Sequence, residues 1–208
     1  MRSAIKALVV LVVIGLLGMV LVVVQSRTHK TPFQRATQAW SKNWASYRFP
    51  SPPASYGSYE GRLSISYDKF ADSTSISTTV GRSLTPQLAY SFRGTSKPQE
   101  PPAYVLVSTG RANATHLDVV ADGERFTSYD IDGVSGLGAS YLLTSDLLRL
   151  VNAKHVSIRC GTDQELDDAD LVRLRSFAAL LHPSTPIPVI TDVITIQTTS
   201  TGSIASDK

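Results

Sequence analysis

The sequence predicts an α+β protein in which an N-terminal transmembrane helix is followed by an antiparallel β-sheet domain with two helices packed on it. Three observations lead there. Ala7 to Val24 carries no polar or charged side chain; short runs from Tyr59 to Phe126 alternate with Gly and Pro breakers; and two segments after Gly138 begin with helix-capping residues, the second repeating apolar residues at helical spacing. With 208 residues the chain has room for one domain and its appendages. The expected divisions are a short tail at 1–6, an anchor at 7–24, a juxtamembrane helix with a Pro-rich linker at 25–58, a β-rich domain at 59–182 and a Pro/Ser/Thr-rich tail at 183–208.

The apolar run ALVVLVVIGLLGMVLVVV would form a helix about 27 Å long at roughly 1.5 Å per residue, close to the ~30 Å hydrocarbon core of a bilayer. It exceeds the ~7–15 apolar residues of a secretory signal and lacks a clean Ala-x-Ala site, so an uncleaved signal anchor is expected rather than a cleaved peptide. No Cys follows to mark a lipoprotein. Val, Leu and Ile surround the helix on every face, unlike a surface helix. Arg2 and Lys6 before the run are matched by Arg27, Lys30 and Arg35 after it, so the basic residues nearly tie. The short N-terminal tail places residues 1–6 in the cytoplasm and the main domain outside it.

Trp40, Trp44, Tyr47 and Phe49 lie among polar residues ahead of Pro50, Pro52 and Pro53. They suggest a helix over Pro32 to Tyr47, its aromatics near the bilayer interface, docked on the domain or stacked on a ligand, and then a stiff linker. Strands follow at Arg62–Tyr67, Ser73–Val80, Gln87–Phe92 and Ala103–Ser108, broken by Gly81, Gly94 and the stretch 97–102. Asp122-Gly123 suits a two-residue turn between strands at 116–120 and 124–129. Ala139–Leu143 reads as a strand, Thr144 or Ser145 as the cap of a helix over Asp146–Asn152, and Val156–Cys160 as another strand. After a short strand at Asp163–Leu166, Asp167 or Asp168 caps a helix whose apolar points are Leu171, Leu174, Phe177 or Ala178, and Leu181, stopped by Pro183. Val189 to Ile196 has the β-branched content of one more strand.

The net charge is +3, and Arg2 and Lys6 supply two of it, leaving about +1 for the rest. That balance offers no field to draw nucleic acid, so none is expected as a partner. Cys160 is the only cysteine, which excludes an intramolecular disulfide. Strand alternation groups it with Val156 and Ile158 as a buried thiol and turns His155 to the other face.

No catalytic constellation emerges. Asp163, Glu165, Asp167, Asp168 and Asp170 form the densest acidic cluster and could offer oxygen ligands to a divalent cation, although the central Gly of a calcium loop is missing. Acids at a helix start are also what capping and the helix dipole favour. Asp130 and Asp132 before Gly133 form a turn-like fragment. His29, His116, His155 and His182 have no zinc spacing. Gly133, Ser135, Gly136 and Gly138 miss the offset of a nucleophile elbow and the order of a dinucleotide fingerprint, which leaves them as a loop. Asn113-Ala114-Thr115 is a glycosylation sequon, and Arg48, Arg62, Arg82, Arg93 and Arg111 are scattered.

No cofactor is expected. The function expected is a membrane-anchored, extracytoplasmic binding or assembly module, in contact with the bilayer through residues 7–24 and with a protein partner through its sheet edges or the 133–138 loop. The alternatives are an enzyme or metal-dependent domain using the 163–170 acids, and a purely structural envelope protein.

Overall fold

The computed structural model describes residues 30–53, 62–81, 86–110, 114, 116–131 and 138–188. The apolar run 7–24, the sequon (save Ala114), most of the glycine loop and the expected strand at 189–196 lie outside the described residues, as do His29, Arg82, Arg111 and Asp132. Among the described residues the fold is α+β with antiparallel strand pairing and three helices, and no helix is long and apolar enough to cross a membrane.

Helix α1 (Pro32–Asn43) starts at a capping box: the Thr31 side chain takes the Gln34 amide and Gln34 returns the bond to the Thr31 amide. A 3-10 turn, Trp44–Ser46, ends it. Of the placements open to its aromatics, the helix takes docking on the domain. Trp40 is buried and its Nε1 donates to Pro101 O at 3.3 Å. Phe33 meets the rings of Tyr104, Tyr129 and Tyr141 at centroid distances of 5.2–5.5 Å.

Among the described residues ten strands form two sheets where the sequence suggested one. The larger takes the order β1 (Leu63–Asp68), β2 (Ser73–Thr79), β3 (Gln87–Arg93), β4 (Tyr104–Ser108), β8 (Ala139–Leu143) and β7 (Tyr129–Asp130). The smaller takes the order β10 (Asp163–Glu165), β9 (Val156–Arg159), β5 (Asp118–Ala121) and β6 (Glu124–Thr127). The turn between β5 and β6 is the expected one, with Asp122 at φ 48° and Gly123 at φ 87°. The Asp122 carboxylate accepts from the amides of His155 and Lys154, and those two bonds hold its pKa below the usual carboxylate range.

The second arm of this hairpin does not run unbroken to Tyr129. At Ser128 the chain leaves one sheet for the other. Ser128 is buried, its Oγ accepts from Leu117 N at 2.8 Å, and it lies 2.7 Å from Ser140 Oγ, so the hydroxyl satisfies polar groups that a strand ladder would otherwise serve.

Helix α2 (Thr144–Asn152) grows straight out of β8, with Leu143 at the N-cap position and no side-chain cap, so neither Thr144 nor Ser145 plays the part assigned to it. The Thr144 amide instead donates to Ala103 O at 3.0 Å. Helix α3 (Asp168–Leu181) is capped as expected by Asp167, whose side chain accepts from Asp170 N at 2.8 Å. Its expected apolar points, Leu171, Leu174, Phe177, Ala178 and Leu181, are all buried; Asp168, Ala169, Val172 and Arg175 stay exposed, but from Ser176 to Leu181 the helix is buried on every face. A helix can be buried on every face only if its polar residues are satisfied. Asp170 pairs with Arg173, and Ser176 Oγ donates back to Val172 O at 2.9 Å. Cys160 is buried in line with Val156 and Ile158, and His155 is exposed, as the alternation required.

Lys97, on the β3–β4 loop, closes the far end of α3 by donating to Leu180 O at 2.8 Å and His182 O at 2.6 Å. Burial lowers its pKa from 10.5 to about 8. Between those two values the unfolded chain binds the extra proton, so Lys97 makes stability rise as pH climbs from about 8 to 10.5. The neutral amine keeps two N–H donors, enough for both carbonyls. Urea unfolding across that range should show this rise in the natural chain, and Lys97→Met should lack it.

Candidate functional site

The outer face of the four-stranded sheet is the site best supplied with polar chemistry. Alternation on β5, β6, β9 and β10 sends one set of side chains to the core and the other outward. The registers align the outward set into two rows across the sheet. One runs Thr127, Asp118, Arg159, Asp163; the other runs Arg125, Val120, Ser157, Glu165. Together they line an open groove of about 750 Å³.

The first row is a chain of polar contacts. Thr127 Oγ1 donates to the Asp118 carboxylate. Arg159 reaches Asp163 through Nε at 2.5 Å and Nη2 at 3.1 Å, a two-pronged pairing that keeps Asp163 below the usual carboxylate range and raises Arg159. Arg125 and Glu165 bring one charge of each sign to the second row. Counting three acids and two arginines, the floor is close to neutral but finely divided in sign, which suits a partner surface that is itself mixed.

The acidic cluster does not converge. Asp163 and Glu165 share the groove face of β10, whereas Asp167 serves as the α3 cap, held below the usual range by the backbone amide of Asp170. Asp168 is exposed in the first turn of α3. Asp170 is buried, accepts from Gly81 N at 3.0 Å and pairs with Arg173. Among the described residues no group of three or more His, Cys, Asp or Glu is placed to hold a metal ion. His116 Nε2 lies 3.3 Å from Asp130, and His182 Nδ1 lies 2.6 Å from Ser184 Oγ, a local contact two residues apart.

Asp118, Arg125 and Arg159 were not singled out from the sequence. Alternation in the hairpin tells that Asp118 and Arg125 point away from the core. The pairing of β5 with β9, which brings Arg159 beside Asp118, joins segments far apart in the chain and leaves no local signal.

The fold and groove define an α+β module of two antiparallel sheets with an open polar face. Compared with family models, curated proteins and solved structures, the chain matches none.

Proposed function

We propose that this chain is a single-pass, membrane-anchored binding or assembly module. Residues 7–24 serve as an uncleaved signal anchor, the domain lies on the extracytoplasmic side, and the groove of the four-stranded sheet receives a protein partner. The observation that carries binding is the groove itself: broad, open, and floored by side chains that satisfy one another, as in the Thr127–Asp118 and Arg159–Asp163 contacts. Such a floor supplies complementarity to a second surface rather than a reactive group. The anchor rests on the apolar run. From Val24 to Thr31 the chain can span at most about 25 Å, so the domain stands close to the bilayer.

Protease treatment of intact cells or spheroplasts carrying a C-terminally tagged chain tests the topology. The tag is expected to be digested from outside while the untreated chain stays full length in the membrane fraction. A protected tag would invert the orientation, and a shortened soluble domain would identify a cleaved signal instead.

A further inference from the structure

Among the described residues no strand pairs with the outer edge of β1, and we propose that this edge pairs antiparallel with β1 of a second copy, extending the six-stranded sheet across a two-fold axis. Sheets are normally closed to such pairing by charge, shortness or proline at their edges. The other edges here conform: β7 has two residues, β10 has three, and β6 carries Glu124 and Arg125. β1 instead presents Leu63, Ser64, Ile65, Ser66 and Tyr67 without a charge until Asp68, and it is straight enough to pair with β2 at all six positions.

The hydrogen-bond parity fixes which backbone groups are available. Arg62 O accepts from Thr79 N, so the bonded positions toward β2 are Arg62, Ser64, Ser66 and Asp68. Leu63, Ile65 and Tyr67 therefore turn their amides and carbonyls outward. A two-fold axis at Ile65 sets Ile65 against its own copy and Leu63 against Tyr67, and both are pairs of outward-bonding residues.

The side chains agree with that register. Leu63, Ile65 and Tyr67 lie on the core face opposite Thr78, Ile76 and Thr74, which are buried, yet they stay partly uncovered, with Tyr67 37% exposed. Pairing puts these apolar groups against each other. On the opposite face Ser64 meets Ser66, and Arg62 of each copy meets Asp68 of the other, so the charges are complementary at both ends. Arg62 is steadied by donating to Gly81 O at 3.2 Å, and the Asp68 carboxylate by the amides of Phe70 and Ala71. Anchoring both chains in one membrane, as in the function proposed above, would raise their effective concentration, but the pairing does not depend on it.

The test uses the full chain in detergent micelles. Light scattering should give twice the chain mass, and Ile65→Cys should form a disulfide-linked dimer under mild oxidation that the parent chain, with only the buried Cys160, does not. Across the axis the Cα atoms would be about 5.5 Å apart, within the ~4.4–6.8 Å that a disulfide spans. Ile65→Pro should abolish the dimer while keeping the circular dichroism, because that amide faces away from β2. Arg62→Asp should weaken the dimer roughly tenfold through two like-charge pairs, and adding Asp68→Arg should restore it. A single-chain mass at every concentration, a dimer indifferent to both Ile65→Pro and Arg62→Asp, or no rescue by the charge swap overturns the proposal. If Ile65→Pro unfolds, the charge swap decides alone.

Discussion

Replacing Asp170 with alanine is expected to lower the stability of the domain by about 3–5 kcal/mol, the cost of stranding a charge inside a protein. The side chains of Asp170 and Arg173 are 4% and 5% exposed, one helical turn apart on α3. The carboxylate serves two donors, Arg173 Nη2 and the amide of Gly81. Arg173 Nε already lacks a partner among the described residues. Without Asp170, the buried guanidinium would lose its bonded carboxylate and keep only the through-space attraction of Asp167, and the Gly81 amide would lose its acceptor. The penalty thus comes from what is left behind rather than from the strength of the pair. Asp170→Leu combined with Arg173→Met removes both charges and should recover most of the loss. Urea unfolding of the two variants at neutral pH checks the pair of outcomes. A loss below about 1 kcal/mol for Asp170→Ala would mean that water reaches the site and that the pair behaves like a surface one.

The same contact ties α3 to the loop after β2. Gly81 sits at φ 80°, a conformation that glycine adopts without strain, and the Gln164 side-chain oxygen would collide with a Cβ placed there. Backbone amide, buried carboxylate and close-packed glutamine thus meet at one point, joining β2, α3 and β10.

The acidic run is divided by the same geometry. From the sequence, Asp163 to Asp170 is a dense patch of oxygen donors. Helical geometry and strand parity then distribute its members among a groove wall, a cap, an exposed first turn and a buried ion pair. Asp167 was legible as a cap because capping is local. Asp170 was not legible as a buried anion, because its partner Gly81 lies 89 residues away.

The strands were legible for a related reason. Alternation in Ser73–Thr79 and in Val156–Arg159 is a property of a few adjacent residues, and the burial follows it position by position. The division into two sheets was hidden, because it depends on which strand β5 joins and on Ser128 taking up the Leu117 amide at the crossover. The groove exists only once β9 lies beside β5, so its Arg159–Asp118 neighbours could not be read in advance. The outward position of Arg125 could have been.

The aromatic segment ahead of the sheet supplies the other large effect. Trp40→Ala is expected to cost about 3–5 kcal/mol, as deletion of a buried large aromatic does. Trp40 is 4% exposed, its ring lies 4.7 Å from that of Tyr47 and 6.4 Å from that of Phe49, and its Nε1 is held by Pro101 O. It joins α1 to the β3–β4 loop, which also carries the Lys97 cap of α3. Losing the indole therefore loosens α1 and uncovers the end of the core near His182, where Trp44 and Phe49 pack edge-on against the imidazole. Trp40→Phe keeps most of the apolar contact and forfeits the hydrogen bond, so it should cost nearer 1 kcal/mol. Because Trp40 and Trp44 are the only two tryptophans, intrinsic fluorescence follows the docking directly. Trp44→Phe isolates Trp40, whose emission should be blue-shifted when folded and move to the red on urea unfolding, in step with the circular dichroism. Coincident transitions would make residues 30–53 part of the folding unit. Emission from Trp40 that moves red well before the domain unfolds, together with a cost below 1 kcal/mol for the alanine variant, would make α1 a tether resting on a domain that folds without it.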